Sequence, residues 1–134
     1  MNALIVDDDN IKADCIEDIL KSFGYLDIEK VRTRGSMVKS LKDNEFSLVV
    51  LDNNFPIYDD SREIKKDLGI SILKRLERGS GVSEYFKDSK IILCSSDDID
   101  EVFDFENYLG NVVFDISIDM NSQFSKYLKE EANE

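Results

Sequence analysis

Residues Phe46 to Pro56 read F-S-L-V-V-L-D-N-N-F-P. Phe46, Leu48, Val49, Val50 and Leu51 make a short apolar run rich in β-branched side chains, and turn-forming residues follow at once. Such a run suits a strand buried on both faces. Asp52 falls where that strand stops. In a parallel α/β sheet ligands bind at the carboxyl ends of the strands, so an aspartate there is poorly placed for packing and well placed for chemistry. The plainer alternative is that Asp52 caps the loop or the next helix, as aspartates often do.

The same arrangement stands at the N-terminus, where A-L-I-V at 3 to 6 stops at Asp7-Asp8-Asp9. Ile11, Cys15, Ile16, Ile19, Leu20 and Phe23 then recur at helical spacing, and Gly24 is the expected stop. Ile28 to Val31 reads as a second strand, and Arg34-Gly35-Ser36 leads into a small helix carrying Met37, Val38 and Leu41. After the third strand, the charged stretch from Ile57 to Leu68 reads as an insertion or lid beside the site. Gly69-Ile70 opens a helix with Ile72, Leu73 and Leu76 on one side, and Gly79-Ser80-Gly81 breaks the chain before a short turn or helix over Val82 to Phe86. Lys90 to Cys94 is a fourth strand ending at Ser95-Ser96, and Asn111 to Ile116 a fifth. Between them lies an acidic helical segment, Asp97 to Leu109, and Met120, Phe124, Tyr127 and Leu128 mark a last helix.

Strands alternating with helical segments predict an α/β fold, a doubly wound five-stranded parallel sheet with helices on both faces and flavodoxin-like order 2-1-3-4-5. That order sets the ends of the first and third strands side by side. Asp7, Asp8 and Asp52 then converge.

A chain of 134 residues with 42% hydrophobic content is the usual size of one domain, and residues 1–134 read as one unit with no further output domain. Seventeen basic residues against twenty-nine acidic ones leave a net charge of −12, which repels nucleic acid and anionic membranes. No apolar run approaches a membrane span and no leader pattern is visible, so the expected location is cytoplasmic. Cys15 and Cys94 read as small buried hydrophobes of a reducing compartment. The chain has no histidine, which excludes His-ligated metals and Ser-His-Asp chemistry. Any reaction must run on carboxylates, hydroxyls, amides, lysines or a hard metal ion.

Converging carboxylates raise one another's pKa unless a cation sits among them. Oxygen-only ligation suits Mg²⁺, which takes one or two carboxylates and accepts phosphate oxygens. Asp52 is then the nucleophile, forming an aspartyl phosphate. Asp7-Asp8-Asp9 also has a structural use as the N-terminal cap of the helix near Ile11, a duty that falls to Asp9 or Asn10.

These segments resemble the response-regulator receiver domains of two-component signalling, through L-I-V-D-D at 4 to 8, V-V-L-D-N-N-F-P at 49 to 56 and I-I-L-C-S-S at 91 to 96. The resemblance runs from Ala3 to about Leu128. It implies Asp52 as phospho-acceptor, Asp8 as a direct Mg²⁺ ligand, Asp7 as a ligand through water, and the main-chain carbonyl of Asn54 in the metal shell. Ser95 stands where the family has its switch hydroxyl. Several positions depart from the family. V-V-F-D-I at 112 to 116 lacks the family lysine, Asp115 adds negative charge near that place, and no Lys or Arg occurs from Ile91 to Ser125. The aromatic switch residue is replaced by Asn111 or Val112, and Ser96 replaces a smaller residue. Lys65 or Lys66 of the insertion is the candidate for the missing cation.

The resemblance implies a phosphorelay member that takes a phosphoryl group from a histidine kinase or phosphotransfer protein and acts on a protein effector, without nucleic acid or membrane. Its chemistry would be self-phosphorylation and autodephosphorylation rather than conventional turnover. The alternative is a degenerate receiver working as a phosphorylation-independent interaction module, which the missing lysine and aromatic favour. A Mg²⁺-dependent phosphatase or phosphotransferase acting on small molecules ranks third. The acidic run Asp97 to Glu106, with Phe103, Phe105 and Tyr108, reads as a solvated or partner-facing surface.

Overall fold

The computed structural model describes residues 1–60, 62–69, 71–72, 86, 89–95, 112–115, 122, 124–125 and 128, with residues 95 and 112–115 described by backbone alone. The break at Gly79-Ser80-Gly81, the acidic segment Asp97 to Leu109, and Ser96 lie outside the described residues, as do the side chains of Ser95, Val112 and Asp115.

The chain runs β1 (Asn2–Val6), α1 (Asn10–Ser22), β2 (Asp27–Val31), α2 (Arg34–Asp43), β3 (Leu48–Asp52), β4 (Phe55–Pro56), β5 (Ile64–Lys65), β6 (Lys90–Ser95) and β7 (Val112–Asp115). Five of these strands form a parallel sheet in the order β2-β1-β3-β6-β7, which is 2-1-3-4-5 once the short β4-β5 hairpin is set aside. The predicted architecture and strand order are those observed.

Each central strand divides its side chains between two cores, because successive residues of a strand point to opposite faces. Leu4, Val6, Val49, Leu51, Ile91 and Leu93 meet Met37 and Leu41 of α2 together with Leu68, Ile72 and Phe86. Ala3, Ile5, Leu48, Val50, Ile92 and Cys94 meet Ala13, Ile16 and Leu20 of α1 together with Phe124 and Leu128. The apolar runs are continuous because both faces are buried. Edge strand β2, in contrast, leaves Asp27, Glu29 and Lys30 exposed, charges that discourage pairing with another chain.

Both ends of α1 are specified locally. Asp9 is the N-cap, its side chain accepting from the Ile11 and Lys12 N–H groups. At the other end Gly24 adopts φ +93°, and the Gly24 and Tyr25 N–H groups donate back to Lys21 and Leu20, closing the helix in a Schellman turn. The buried stripe is Ala13, Ile16 and Leu20, which corrects two expectations: Ile11 is 79% exposed and Cys15 is exposed, not buried. Both lie outside the arc that faces the sheet. Cys94 is buried as expected, and both cysteines are free.

Candidate functional site

Parallel pairing sets Val6 opposite Leu51, so Asp7 and Asp52 emerge side by side from the ends of β1 and β3. From β1 the chain crosses to β2 on one side, and β3 lies on the other, so this is the point where strand order reverses and a crevice opens. One carboxylate oxygen each from Asp7, Asp8 and Asp52 lie within 4.8 Å of one another. The convergence expected from strand order is present.

A cation already sits among them. Lys12 Nζ lies 2.7 Å from Asp7 Oδ2 and 3.0 Å from Asp52 Oδ1. Lys12 belongs to the first turn of α1, whose N-terminus the Asp9 cap holds over the end of the sheet. Sequence reasoning sought this charge on the fifth strand and in the insertion and missed it. The available signal was energetic: a lysine in a first helical turn opposes the helix macrodipole, so another interaction must offset that placement. Lys65 and Lys66 are exposed, and among the described residues neither meets the three carboxylates.

Burial dominates the electrostatics. Asp7 is 4% exposed, and desolvation, with the neighbouring Asp52 charge adding to it, pushes its carboxyl up to about 6 against the lowering effect of Lys12. Burial likewise raises Asp52, opposed by Lys12 and by the Asn53 N–H that donates to Oδ1 at 2.8 Å. For Lys12 burial alone acts downward, and the contacts with Asp7 and Asp52 outweigh it, so its pKa rises and it stays charged. Asp7 Oδ1 accepts the Asp9 N–H at 2.9 Å, while Oδ2 is buried with no aligned hydrogen-bond donor. Its neighbour there is the Lys12 ammonium, a charge contact at 2.7 Å. An oxygen in that condition suits a spherical cation better than a directional donor. Three oxygen donors without nitrogen or sulfur are the donor set a hard cation takes, and the residues present fit Mg²⁺.

The loop after β3 is tied so that the insertion leaves and returns at one place. Asn53 is buried, its Nδ2 donates to Asp67 Oδ1 at 3.0 Å, and its carbonyl accepts the Gly69 N–H at 3.0 Å. Asn54, the expected carbonyl ligand, is held through Oδ1 by the Asp67 N–H at 2.8 Å, with Asp67 itself at φ 60°. Gly69 packs against the site: a Cβ there would stand 2.5 Å from the Asp52 carbonyl oxygen and 2.6 Å from Leu93 Cδ1. Beyond these ties β4 and β5 pair as an antiparallel hairpin, Phe55 opposite Lys65 and Pro56 opposite Ile64. The residues between them dock on the N-terminus of α2. Asp59 accepts from the hydroxyls of Ser36, at 2.6 Å, and Thr33, and the Gly35 N–H donates to the Ile57 carbonyl at 2.8 Å.

The sheet order, the two faces of helices and the acidic crevice together have the fold of response-regulator receiver domains. The receiver domain of a sensor histidine kinase from Pseudomonas aeruginosa, whose structure carries a magnesium ion coordinated in its active-site cleft, matches at 19% identity over 96% of this chain and 94% of that one, with TM-score 0.66. A CheY-like receiver domain from Methanospirillum hungatei matches at 20% identity over 98% and 93% of the two chains, TM-score 0.70. The chemotaxis protein CheY4 of Vibrio cholerae matches at 16% identity over 96% of each, TM-score 0.68. No protein-family model matches the chain, and no curated protein matches it in sequence. Among the described residues no helix is long and apolar enough to cross a membrane.

Proposed function

We propose that this chain is a cytoplasmic phospho-accepting switch of two-component signalling, phosphorylated on Asp52 by a histidine kinase or phosphotransfer protein and acting through contacts with a protein effector. The observation that carries the reading is the meeting of Asp7, Asp8 and Asp52 at the switch point of a receiver fold. Asp7, Asp8 and Asp52, with the Asn54 carbonyl, would hold Mg²⁺. When bound, that ion supplies charge neutralisation for an incoming phosphoryl group.

The chain's own residues perform the rest. Oδ1 of Asp52 accepts the Asn53 N–H and faces the cation position that Lys12 fills without metal, which leaves Oδ2 as the attacking oxygen. It forms the new bond to phosphorus as the donor's phosphorus–nitrogen bond breaks, the electron pair leaving with the donor imidazole. Buttressing by Gly69 keeps the Asp52 backbone in place during attack. Ser95, the last residue of β6, would supply the switch hydroxyl that follows the phosphoryl group.

Intact-mass spectrometry after incubation with acetyl phosphate tests this. A Mg²⁺-dependent gain of one phosphoryl group, absent in Asp52→Asn, is expected. No gain despite Mg²⁺ binding and an intact fold, with a cognate kinase also inert, would leave the second reading, a phosphorylation-independent interaction module. That reading is favoured by the absence of any Lys or Arg between Ile91 and Ser125.

A further inference from the structure

The strand that should carry the family lysine has none, yet a lysine is bound to the acceptor carboxylate. Lys12 reaches Asp52 from the first turn of α1, the helix that follows β1, whereas β7 lies beyond β6 at the far edge of the sheet. Its ammonium touches both Asp7 and Asp52, two of the three carboxylates that a divalent cation would use. On Asp7 it occupies Oδ2, the oxygen left without a hydrogen-bond donor. An ammonium and a divalent ion cannot share these oxygens: like charges within a few ångströms of each other in a partly buried site repel strongly.

We propose that Lys12 is a tethered counter-ion which a divalent cation must displace, and that this competition sets the metal affinity of the site. The inference rests on the receiver reading for its biological meaning, though not for its measurement. Lys12 is suited to the part on three grounds. Its side chain is 15% exposed, so a path to solvent is open for the displaced ammonium. Its backbone is fixed independently by the Asp9 cap, so the side chain can swing without moving the helix. Among the described residues its ion pairs are with Asp7 and Asp52, and the first turn of α1 contains no acidic residue. The result is a site whose negative charge is partly offset without metal, where a triad with no cation beside it would bind divalent ions more tightly. Mg²⁺ occupancy thereby becomes conditional, and with it the competence of Asp52.

The test is calorimetric titration of MgCl2 into the wild type, Lys12→Met and Lys12→Arg at pH 8, without phosphodonor, after thermal unfolding has shown each variant folded. Removing a charge in direct contact with a carboxylate commonly moves its proton affinity by about one to three pKa units, so Lys12→Met should tighten Mg²⁺ binding by at least about tenfold. Lys12→Arg keeps the charge and should stay within about threefold of the wild type on the same reasoning. Equal or weaker Mg²⁺ binding in Lys12→Met would overturn the proposal, as would an arginine variant that behaves like the methionine one, or no binding by any of the three. Tighter binding in Lys12→Met, together with no phosphoryl adduct on wild-type Asp52 from acetyl phosphate or a cognate kinase in the separate mass-spectrometric assay, would uphold the competition and sink the phospho-accepting reading instead.

Discussion

Replacing Asp7 by asparagine preserves the side chain's shape and its acceptor for the Asp9 N–H, while removing a carboxylate that burial disfavours. The carboxyl stands at about 6 in the folded chain against an ordinary 3.8. A folded-state pKa raised above the unfolded one favours folding while the group is protonated. That contribution is fully present below about pH 4 and is lost as pH rises through about 6. A shift of about two units, at about 1.4 kcal/mol per unit, is worth about 3 kcal/mol. In EDTA at pH 8, Asp7→Asn should therefore be more stable than the wild type by up to about 3 kcal/mol, roughly 10 °C in Tm for a domain of this size. The gap should close as pH approaches 4. Paired urea titrations of the two proteins from pH 4 to 8 follow Asp7 together with the Asp52 and Lys12 charges coupled to it. Mg²⁺ at a hundredfold excess over Kd should close most of this gap, because a ligand at that level adds about 2.7 kcal/mol to the protein that binds it. A variant less stable than the wild type in EDTA at pH 8, or a difference independent of pH, would refute the reasoning.

Gly69→Ala would press a Cβ to 2.5 Å from the Asp52 carbonyl oxygen and 3.0 Å from Asn53 Cα, both backbone atoms with little room to yield. A loss of about 2 to 4 kcal/mol in chemical denaturation is expected, with weakened Mg²⁺ binding in whatever fraction folds; full stability with unchanged binding would contradict the packing described. Cys15 is exposed, whereas Cys94 is buried with its thiol pushed far up by desolvation, so a thiol-alkylating reagent at neutral pH should add one label, at Cys15. Peptide mapping that places the first label on Cys94 would show that the core opens readily at β6.

Much of this molecule was legible because local pattern and tertiary demand agree. The runs at Ala3 to Val6, Leu48 to Leu51 and Ile91 to Cys94 are continuous, which only strands covered on both faces require, and the parallel order with its crevice follows from chain handedness. Asp9 and Gly24 announced the ends of α1 through chemistry that acts within a few residues. Helical spacing misassigned Ile11 and Cys15, since spacing identifies a stripe but not which part of its rim the sheet covers.

From sequence alone came the fold class, the strand order and the meeting of Asp7, Asp8 and Asp52, all consequences of hydrophobic period and of the few topologies a right-handed chain permits. Tertiary structure alone decided which cation lies among those carboxylates. Lys12 and Asp52 are forty positions apart on elements that become neighbours only when α1 folds back over the sheet. It also decided that the insertion docks on α2 through Asp59, Thr33 and Ser36 while the lysines it carries stay in solvent. Hydrophobic pattern determines where a chain must be buried; a polar side chain's partner depends on what burial brings within its reach.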